Sequence, residues 1–451
     1  MDTFFLQKYN ELVENKLDNK LDNTIFFRSK DEYIDKLINN LFCEIDLNLK
    51  KTMQNKKKTS IITGVYKVYN TDNTVNPNNI IIDCNALDLN NTDLLLINNQ
   101  YCFVYDKITS EKINIQLVDI KSKIEIQQVI YKICNYKKFY RIYQSIINSN
   151  RTLLRNLYNP MEKLTKLTKS RVKSDFWNQE QINILSSIIK HTENKKIHVI
   201  DGEDKTGKST LILGLIQNYF TRYEDIKLLI TSSNKNELTN LAQRLISQKT
   251  TLLPDNKWIL IIADENYIDS SLHFFLISKY VSRYRETLLY IDTEFKKIQK
   301  NNLDISPIIM NILNKLEELP FEPYSHKNTT ISELLKSDNN LNDIINQSQL
   351  IIDKWKNPLY INNRLLNACS IVISTITSSG CPSMDMYKNN VIMIDDAHEA
   401  SELEALIPLQ DTTEQTLLFG NSKRINVKNT LFERLIKGGI SVHRMTNSYN
   451  L

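Results

Sequence analysis

Residues 197–220 of this chain read IHVIDGEDKTGKSTLILGLIQNYF. The first four of them, 197–200, are typical of a buried strand, and residues 210–220 carry the apolar stripe of a helix. Between these two stretches, residues 202–209 fit the pattern GxxxxGK[ST] without a mismatch. A strand, a glycine-bearing turn and a helix in this order predict an α/β fold with a phosphate-binding loop after one strand.

Each part of this loop has a role when the phosphates of a nucleotide are bound. Glycines allow backbone N–H groups to close around the phosphates, and the start of the following helix favours negative charge. Lys208 is predicted to neutralise the β- and γ-phosphates, and the Ser209 hydroxyl to ligate magnesium. The predicted ligands are therefore ATP and Mg²⁺. The loop residues predicted to bind them are Gly202, Glu203, Asp204, Lys205, Thr206, Gly207, Lys208, Ser209 and Thr210.

Residues 391–396, VIMIDD, provide the acidic partner that a phosphate loop requires. Four apolar residues, typical of a strand, are followed by Asp395 and Asp396. Asp395 is predicted to hold magnesium directly or through water, and Asp396 to orient the attacking water. The catalytic residues expected from these two sites are Lys208, Asp395 and Asp396.

Composition limits the class of protein. A length of 451 residues favours two or three domains, and 41% hydrophobic with 24% charged residues is a globular balance. No run approaches the ~18 apolar residues that span a bilayer, so we expect a soluble, intracellular protein without a membrane partner. The net charge of +5 permits a nucleic-acid partner without requiring one. The six cysteines form no CxxC pair, which argues against zinc.

Domain boundaries follow changes in the hydrophobic pattern. Short β-type runs between Asn-rich turns predict a small barrel or sandwich, and alternating helix and strand patterns predict a parallel sheet with crossover helices. Helical spacing over 123–157 predicts two long helices. The predicted order is a helical segment at 1–48, a β-barrel at 49–122, a helical stalk at 123–170, and an α/β domain at 171–451 with a mostly helical insertion at about 265–365.

Taken in order, the motifs resemble those of the Upf-type superfamily 1 helicases, and most closely the senataxin group. Residues 391–409, VIMIDDAHEASELEALIPL, are similar to a family motif nearly from end to end, and residues 430–435, TLFERL, match another. Residues 176–181, FWNQEQ, resemble the family segment whose glutamine reads the adenine edge, which implies that role for Gln181. The resemblance implies a RecA-like domain with an accessory barrel and stalk, and ATP hydrolysis as the activity.

Two further motifs imply a nucleic-acid partner. Residues 228–234, LLITSSN, and 369–380, CSIVISTITSSG, are similar to family segments that contact the nucleic-acid backbone. By position, the resemblance assigns that contact to Ser232, Ser233, Asn234 and Thr375. Single-stranded RNA or DNA is the implied partner. The resemblance to the senataxin group implies a location in the nucleus rather than in the cytoplasm.

The chain departs from the family pattern at positions that bear on turnover. Asp396 replaces a glutamate one methylene longer, and a misplacement of roughly 1 Å can cost on the order of 100-fold in rate. Residues 420–424, GNSKR, replace a Gly-Asp-x-x-Gln sensor of the γ-phosphate, so Arg424 becomes the predicted phosphate contact and joins the expected catalytic residues. Residues 448–451, SYNL, replace a Gln-Tyr-Arg-Met motif and its arginine.

Three functional hypotheses follow. In the first, the chain is the N-terminal part of a working helicase, and the second RecA-like domain that translocation requires comes from another polypeptide or has been lost by truncation. In the second, it is a degenerate ATP-binding scaffold for nucleic acid or protein. The third is a P-loop protein of another family. Three side chains also have two interpretations each: Trp177 and Tyr101 stack on bases or pack in a core, and His398 couples ATP to nucleic acid or lies at the surface.

Overall fold

A computed structural model describes residues 30–54, the strands between 60 and 135, residues 136–148, 177–189 and 196–447, and a few single residues before 30 and at 157. Within 196–447 it omits 255–256, 301–304, 326–327, 338–339, 410–411, 426 and 428. The chain forms two compact units. The first comprises Met1–Leu164, Ala400–Asp411 and Ile425–Ser441, and the second comprises Thr165–Glu399, Thr412–Arg424 and Val442–Leu451.

Helices and strands are numbered in chain order over the described residues. The helices are α1 (Lys30–Gln54), α2 (Lys137–Ile147), α3 (Gln179–Ile189), α4 (Lys208–Arg222), α5 (Lys235–Ser247), α6 (Lys249–Leu252), α7 (Ile277–Lys300), α8 (Ile305–Glu317), α9 (Ile331–Leu335), α10 (Leu341–Trp355), α11 (Pro358–Ala368), α12 (Ile376–Ser379), α13 (Glu402–Ala405) and α14 (Leu431–Lys437). The strands are β1 (Ser60–Ile62), β2 (Val68–Asn70), β3 (Asn79–Asp83), β4 (Asp93–Ile97), β5 (Gln100–Lys107), β6 (Lys112–Leu117), β7 (Ile130–Asn135), β8 (Lys196–Gly202), β9 (Leu228–Ser232), β10 (Ile259–Ile262), β11 (Ile371–Thr375), β12 (Val391–Asp395), β13 (Gln415–Gly420) and β14 (Val442–Met445).

The sheet of the first unit contains seven strands in the order β1-β7-β4-β5-β6-β3-β2, and its pairings are antiparallel. Of the five runs that we expected to be strands between residues 60 and 118, the first, 60–69, forms two strands, β1 and β2, at opposite ends of this sheet, and each of the others forms one strand. No pairing joins the end strands β1 and β2 among the described residues, so a closed barrel stays a prediction.

Strand β7 corrects the predicted helices at 123–157. Residues 130–135 pair with β4 and β1, and within that stretch the structure describes only residues 137–147 and Leu157 as helical. Apolar residues at mixed spacing fit both a short strand and a helix, and pairing with two neighbouring strands decides between them. The rest of the stalk, apart from residue 157, lies outside the described residues.

The second unit contains a parallel α/β sheet, as predicted, but residues 400–411 and 425–441 of the predicted domain 171–451 belong to the first unit. The seven strands of this sheet lie in the order β10-β11-β9-β12-β13-β8-β14, and all of them are parallel. Strands β9, β10, β12 and β13 are buried along their whole length, as expected for a parallel sheet with helices on both faces. This arrangement confirms the RecA-like P-loop fold.

The strand register brings the predicted site residues to one edge of this sheet. Ser232, the last residue of β9, is opposite Thr375 on one side and Asp395 on the other. On the other side of β12, Gly420 of β13 pairs with Asp201 of β8, just before the phosphate loop. Because parallel strands end on a common edge, segments separated by up to about half the chain meet there.

The stretch 265–365, predicted as an insertion, lies between β10 and β11 and contains helices α7 to α10 and most of α11. Its aromatic residues form a cluster, joined by Trp258 before β10, in which Trp355 is stacked against Tyr284 at 5.5 Å between ring centroids. The Trp355 indole also donates a hydrogen bond to the carbonyl of Tyr324. None of the described helices is both long enough and apolar enough to cross a membrane.

Candidate functional site

The loop between β8 and α4 makes a tight turn at the start of the helix. Lys205 and Gly207 adopt positive φ angles of 63° and 87°, which turn the chain sharply into α4. A Cβ on Gly202 would lie 2.6 Å from Thr206 Oγ1 and 3.0 Å from Met445 Cβ, so only glycine fits there. Thr206 Oγ1 closes the loop by donating to the carbonyl of Glu203 at 2.8 Å.

Lys208 is held at the base of this loop. Its ammonium donates to the carbonyl oxygens of Gly202 at 2.6 Å and of Glu203 at 2.9 Å. Both acceptors are neutral backbone groups, so the positive charge of Lys208 has no carboxylate partner in these contacts. The Lys208 ammonium is therefore positioned to form an ion pair with a phosphate placed in the loop.

The two carboxylates after β12 differ in their surroundings. Asp395 is only 4% exposed, and its carboxylate accepts from the backbone N–H of Asp396. Burial, with a smaller contribution from the charge of Asp396, raises the pKa of Asp395 to about 7. Burial and the neighbouring carboxylates of Glu399 and Glu237 raise the pKa of Asp396 to about 6. Asp396 also has a positive φ of 51°, an uncommon conformation for aspartate.

The phosphate loop and the acidic strand end face one cavity of about 610 Å³. Of the predicted site residues, the lining includes Asp204, Lys205, Gly207, Lys208, Ser209, Thr210, Asn234, Asp395, Asp396 and Arg424. The expectation that the loop at 202–209 and the carboxylate at 395 come together is met in this arrangement.

The charges around the cavity suit a metal-bound polyphosphate. Five carboxylates and four lysine or arginine side chains line it, and the largest pKa shift among the carboxylates is that of the buried Asp395. A divalent cation beside Asp395 would favour its ionised form, and the Ser209 hydroxyl lies on the same cavity. The donor set therefore fits Mg²⁺, with Asp395 and Ser209 as its holders.

The turn after β13 reaches the phosphate loop. Residues Ser422–Arg424 form one turn of 3₁₀ helix. Arg424 forms an ion pair with Asp204, and Lys423 forms one with Glu203 at 2.5 Å. The Ser422 hydroxyl and backbone N–H both donate to the carboxylate of Asp201. Arg424 thus lies on the cavity as predicted, but a carboxylate of the loop already binds it.

Gln181 is in contact with the phosphate loop without lining the cavity. It is fully buried, and its side-chain amide donates to the carbonyl of Gly207 at 3.5 Å. Its Oε1 accepts from the backbone N–H of Asn178, whose side chain accepts in return from the N–H of Gln181. Its predicted contact with adenine stays a prediction.

Trp177 packs against α4. A Cβ added to Gly214 would lie 2.8 Å from the Trp177 ring, and the ring packs on the hydrophobic core of the second unit. Of its two interpretations, core packing is the one observed. The side chain of Tyr101 and residues 448–451 lie outside what the structure describes.

The residues predicted to contact nucleic acid lie at the carboxyl edge of the sheet. Asn234 caps α5 through its side chain, which accepts from the N–H groups of Asn236 and Glu237, and it also lines the cavity. Thr375 caps the short helix α12. Ser232, Ser233 and Thr375 are not among the cavity-lining residues, and their nucleic-acid contacts stay predictions.

Four cavity residues were not among the predicted site residues: Glu237, Arg244, His398 and Glu399. Glu237 and Arg244 are seven residues apart on α5, and that spacing places them on one helix face. Helical spacing after β9 is the signal that would have found them. Arg244 also donates to the Thr210 hydroxyl at 3.0 Å. His398 is buried, contrary to surface placement, and its Nδ1 lies 4.0 Å from an Asp396 oxygen.

Comparison with known proteins supports a helicase-like family for this chain. A family profile described as an AAA domain, AAA_11, matches residues 177–424, which is more than half of the chain. Regulator of nonsense transcripts 1 of Dictyostelium discoideum is 28% identical over 99 residues, covering 19% of this chain and 7% of that protein. ATP-dependent helicase upf1 of Schizosaccharomyces pombe is 30% identical over 99 residues, covering 19% and 11%. The matched stretch thus spans about a tenth or less of these relatives, and it supports a superfamily 1 helicase-like assignment. The phosphate loop, the parallel sheet and this match together show that the chain belongs to the AAA_11 family of AAA domains.

Proposed function

We propose that the second unit binds Mg²⁺–ATP in the 610 Å³ cavity and hydrolyses it, as the ATPase core of a helicase-family protein that acts on single-stranded RNA or DNA. One observation carries this proposal. Lys208 and Ser209, at the start of α4, face the same cavity as Asp395 and Asp396, which lie almost 190 residues later at the end of β12. A phosphate loop and an acidic strand end that share a cavity are the two parts that nucleotide hydrolysis requires.

The residues have separate roles in this proposal. The backbone of the loop and Lys208 bind the phosphates, while Asp395 and Ser209 hold the metal. Mg²⁺, when bound, supplies positive charge that offsets the charge developing on the phosphates. The pKa of Asp396 is raised to about 6. In its ionised form, the Asp396 carboxylate accepts a hydrogen bond from a water and orients that water for attack.

Nucleic acid would bind along the carboxyl edge of the sheet. Ser232 and Thr375 end neighbouring strands in register, and Asn234 begins the helix that follows β9. Short hydroxyl and amide side chains of this kind donate to phosphate oxygens. Because Asn234 also lines the nucleotide cavity, it is the side chain through which nucleic acid and nucleotide are proposed to be coupled.

Unwinding is not proposed for this domain by itself. Translocation requires two RecA-like domains that close on ATP and open after hydrolysis, and the described residues contain one such sheet. A second polypeptide or segment that supplies the other domain is the proposed partner. The expected activity of the chain alone is nucleotide binding with at most slow, nucleic-acid-stimulated phosphate release.

A second candidate function is an ATP-binding scaffold without turnover. It is favoured by Asn421, which is 4% exposed and has an amide nitrogen 3.4 Å from an Asp204 oxygen, where the family has an acidic residue. In this alternative, the arrangement around Asp204 serves nucleotide binding and takes the place of the family's sensor of the γ-phosphate.

Replacing Lys208 tests the proposed site. Lys208→Ala removes the charge that the loop offers to the phosphates, so Mg²⁺–ATP affinity is expected to fall by about 10- to 100-fold. Isothermal titration calorimetry of the purified chain measures this loss. Lys279→Ala, which removes a half-buried lysine paired with Glu265 in the same unit, is the control and should bind as the parent does. Equal binding by the parent and Lys208→Ala would reject the site.

Replacing Asp395 distinguishes the two functions. Asp395→Asn is expected to keep binding of metal-free ATP while losing the gain that Mg²⁺ provides, because the metal loses its anionic holder. If the domain hydrolyses ATP, phosphate release with single-stranded RNA or DNA should fall by on the order of 100-fold in this variant. Phosphate release that is absent from the parent itself, despite Mg²⁺–ATP binding, would select the scaffold.

A further inference from the structure

The phosphate loop of this chain carries two acidic residues. Glu203 and Asp204 follow Gly202 directly, and both are exposed. Carboxylates beside a polyphosphate repel it. Each of the two is neutralised by a neighbouring cation of the 3₁₀ turn: Glu203 by Lys423 and Asp204 by Arg424.

Only one of these two pairs faces the cavity. Asp204 and Arg424 both line it, whereas Glu203 and Lys423 are not among the lining residues. The buried amide of Asn421 lies 3.4 Å from the other Asp204 oxygen, so the turn holds this carboxylate at two points. Arg424 therefore lines the cavity, but its positive charge is paired with the carboxylate of Asp204 in the loop.

The Asp204–Arg424 pair is of the kind that a phosphate can replace. The side chains of Asp204 and Arg424 are 52% and 64% exposed, and ion pairs this open to solvent contribute little free energy. Guanidinium groups bind phosphate oxygens with two parallel hydrogen bonds, which favours a polyphosphate over one exposed carboxylate. The contact can thus hold Arg424 in place without preventing its release.

We propose that Asp204 is a positioning residue that holds Arg424 beside the loop until a nucleoside triphosphate arrives, when Arg424 exchanges the carboxylate for the terminal phosphate. This inference rests on the proposed function and adds a selectivity to it. A diphosphate lacks the third phosphate and leaves Arg424 with Asp204. Binding of the triphosphate requires the Asp204–Arg424 ion pair to break, so the free energy of that pair lowers the affinity for the triphosphate. Binding of the diphosphate leaves the pair intact, and its affinity is not lowered in this way.

The experiment compares affinities for Mg²⁺–ATP and Mg²⁺–ADP by calorimetry in the full chain. Asp204→Asn frees Arg424 and is expected to raise affinity for ATP by about 3- to 5-fold and for ADP by less than about 2-fold. Asp204→Glu keeps the carboxylate and should restore the parent's ratio of the two affinities. Glu203→Gln is the matched control, because it removes a loop carboxylate of similar exposure whose cation does not line the cavity. It should change the two affinities equally.

Arg424→Gln completes the test. In that background, Asp204→Asn should change ATP and ADP affinity by the same factor, because no cation is left to exchange. If Asp204→Asn still raises affinity for ATP more than for ADP in that background, or if Glu203→Gln raises affinity for ATP over ADP to the same extent, the inference is overturned while ATP binding stays intact. Absence of ATP binding in both the parent and Asp204→Asn would overturn both proposals. ATP binding by Asp204→Asn but not by the parent would support the inference, because the Asp204–Arg424 pair would then prevent ATP from binding.

Discussion

Gly202 shows how a single side-chain position limits the site. Its Cα lies against Thr206 and Met445, so that an added Cβ would approach the Thr206 hydroxyl to 2.6 Å. Thr206 is nearly fully buried and bonds back to Glu203, which leaves it little freedom to move. The loop therefore depends on the absence of a side chain at one residue as much as on the presence of Lys208.

Gly202→Ala is expected to distort the loop and to weaken Mg²⁺–ATP binding by at least about 10-fold, because the carbonyls that hold Lys208 move with it. Calorimetry measures the affinity and thermal unfolding measures the fold. Gly439→Ala is the comparison: this glycine has a φ of 85° but open space around it, so the substitution should cost ~1 kcal/mol of stability and leave binding unchanged. An unaltered affinity in Gly202→Ala would contradict the role of this close approach.

At the scale of elements, the first unit is held together by charges that are almost fully buried. Glu402 of α13 accepts hydrogen bonds from Tyr33 and Lys36 of α1 and from Arg434 of α14, at 2.8, 3.0 and 2.5 Å. Burial disfavours its charge, but Arg434 and Lys36 outweigh that effect and hold the pKa of Glu402 below its usual value. One carboxylate thus joins three helices whose sequences lie up to about 400 residues apart.

Removing this carboxylate should be costly. Glu402→Gln leaves Lys36 and Arg434 buried without a negative partner, so the free energy of unfolding is expected to fall by about 3–5 kcal/mol, as measured by urea denaturation. Glu433→Gln, which breaks the surface pair with Lys437 on α14, should cost less than ~1 kcal/mol. Similar losses in the two variants would show that the buried cluster is not a special source of stability.

At the scale of the whole molecule, each unit is assembled from separate stretches of chain. The first unit takes residues from before 165 and then from 400–411 and 425–441. Glu44 of α1 illustrates the result: burial and the charge of Glu404 raise its pKa to about 7, while Lys138 acts in the opposite direction. Lys138 and Glu404 form an ion pair at 2.5 Å, so three distant segments determine one titration.

This titration predicts a pH-dependent stability. Between the unfolded pKa of 4.5 and the folded value near 7, native Glu44 keeps a proton that the unfolded chain releases, so rising pH lowers stability across that window. Glu44→Gln does not titrate and should raise the free energy of unfolding by ~3 kcal/mol at pH 8 and by less than ~1 kcal/mol at pH 5. Urea denaturation at both pH values measures this, and Asp35→Asn, an exposed change on the same helix, is the control. An equal gain at pH 5 and pH 8 would contradict the assignment.

The α/β fold and the two halves of the nucleotide site were predictable because their signals are local. A buried strand followed by a glycine-bearing turn and a helix is specified by hydrogen bonding and hydrophobic spacing over some twenty residues around Lys208. The same holds for the apolar run that ends at Asp395. No such local signal separated strand from helix at residues 130–135, where pairing with β4 and β1 decided the outcome.

Contacts between distant segments were beyond the reach of local patterns. Nothing near Asp204 in the chain indicates that Arg424 binds it, and nothing near Tyr33 indicates Glu402, because each pair forms only after the strands and helices between them have packed. The motifs along the chain thus established most of the chemical groups at the site, but not Glu237, Arg244, His398 and Glu399. Which of them carry free charge, which are already paired and which are buried depended on folding, since burial and neighbouring charges set the state of each group.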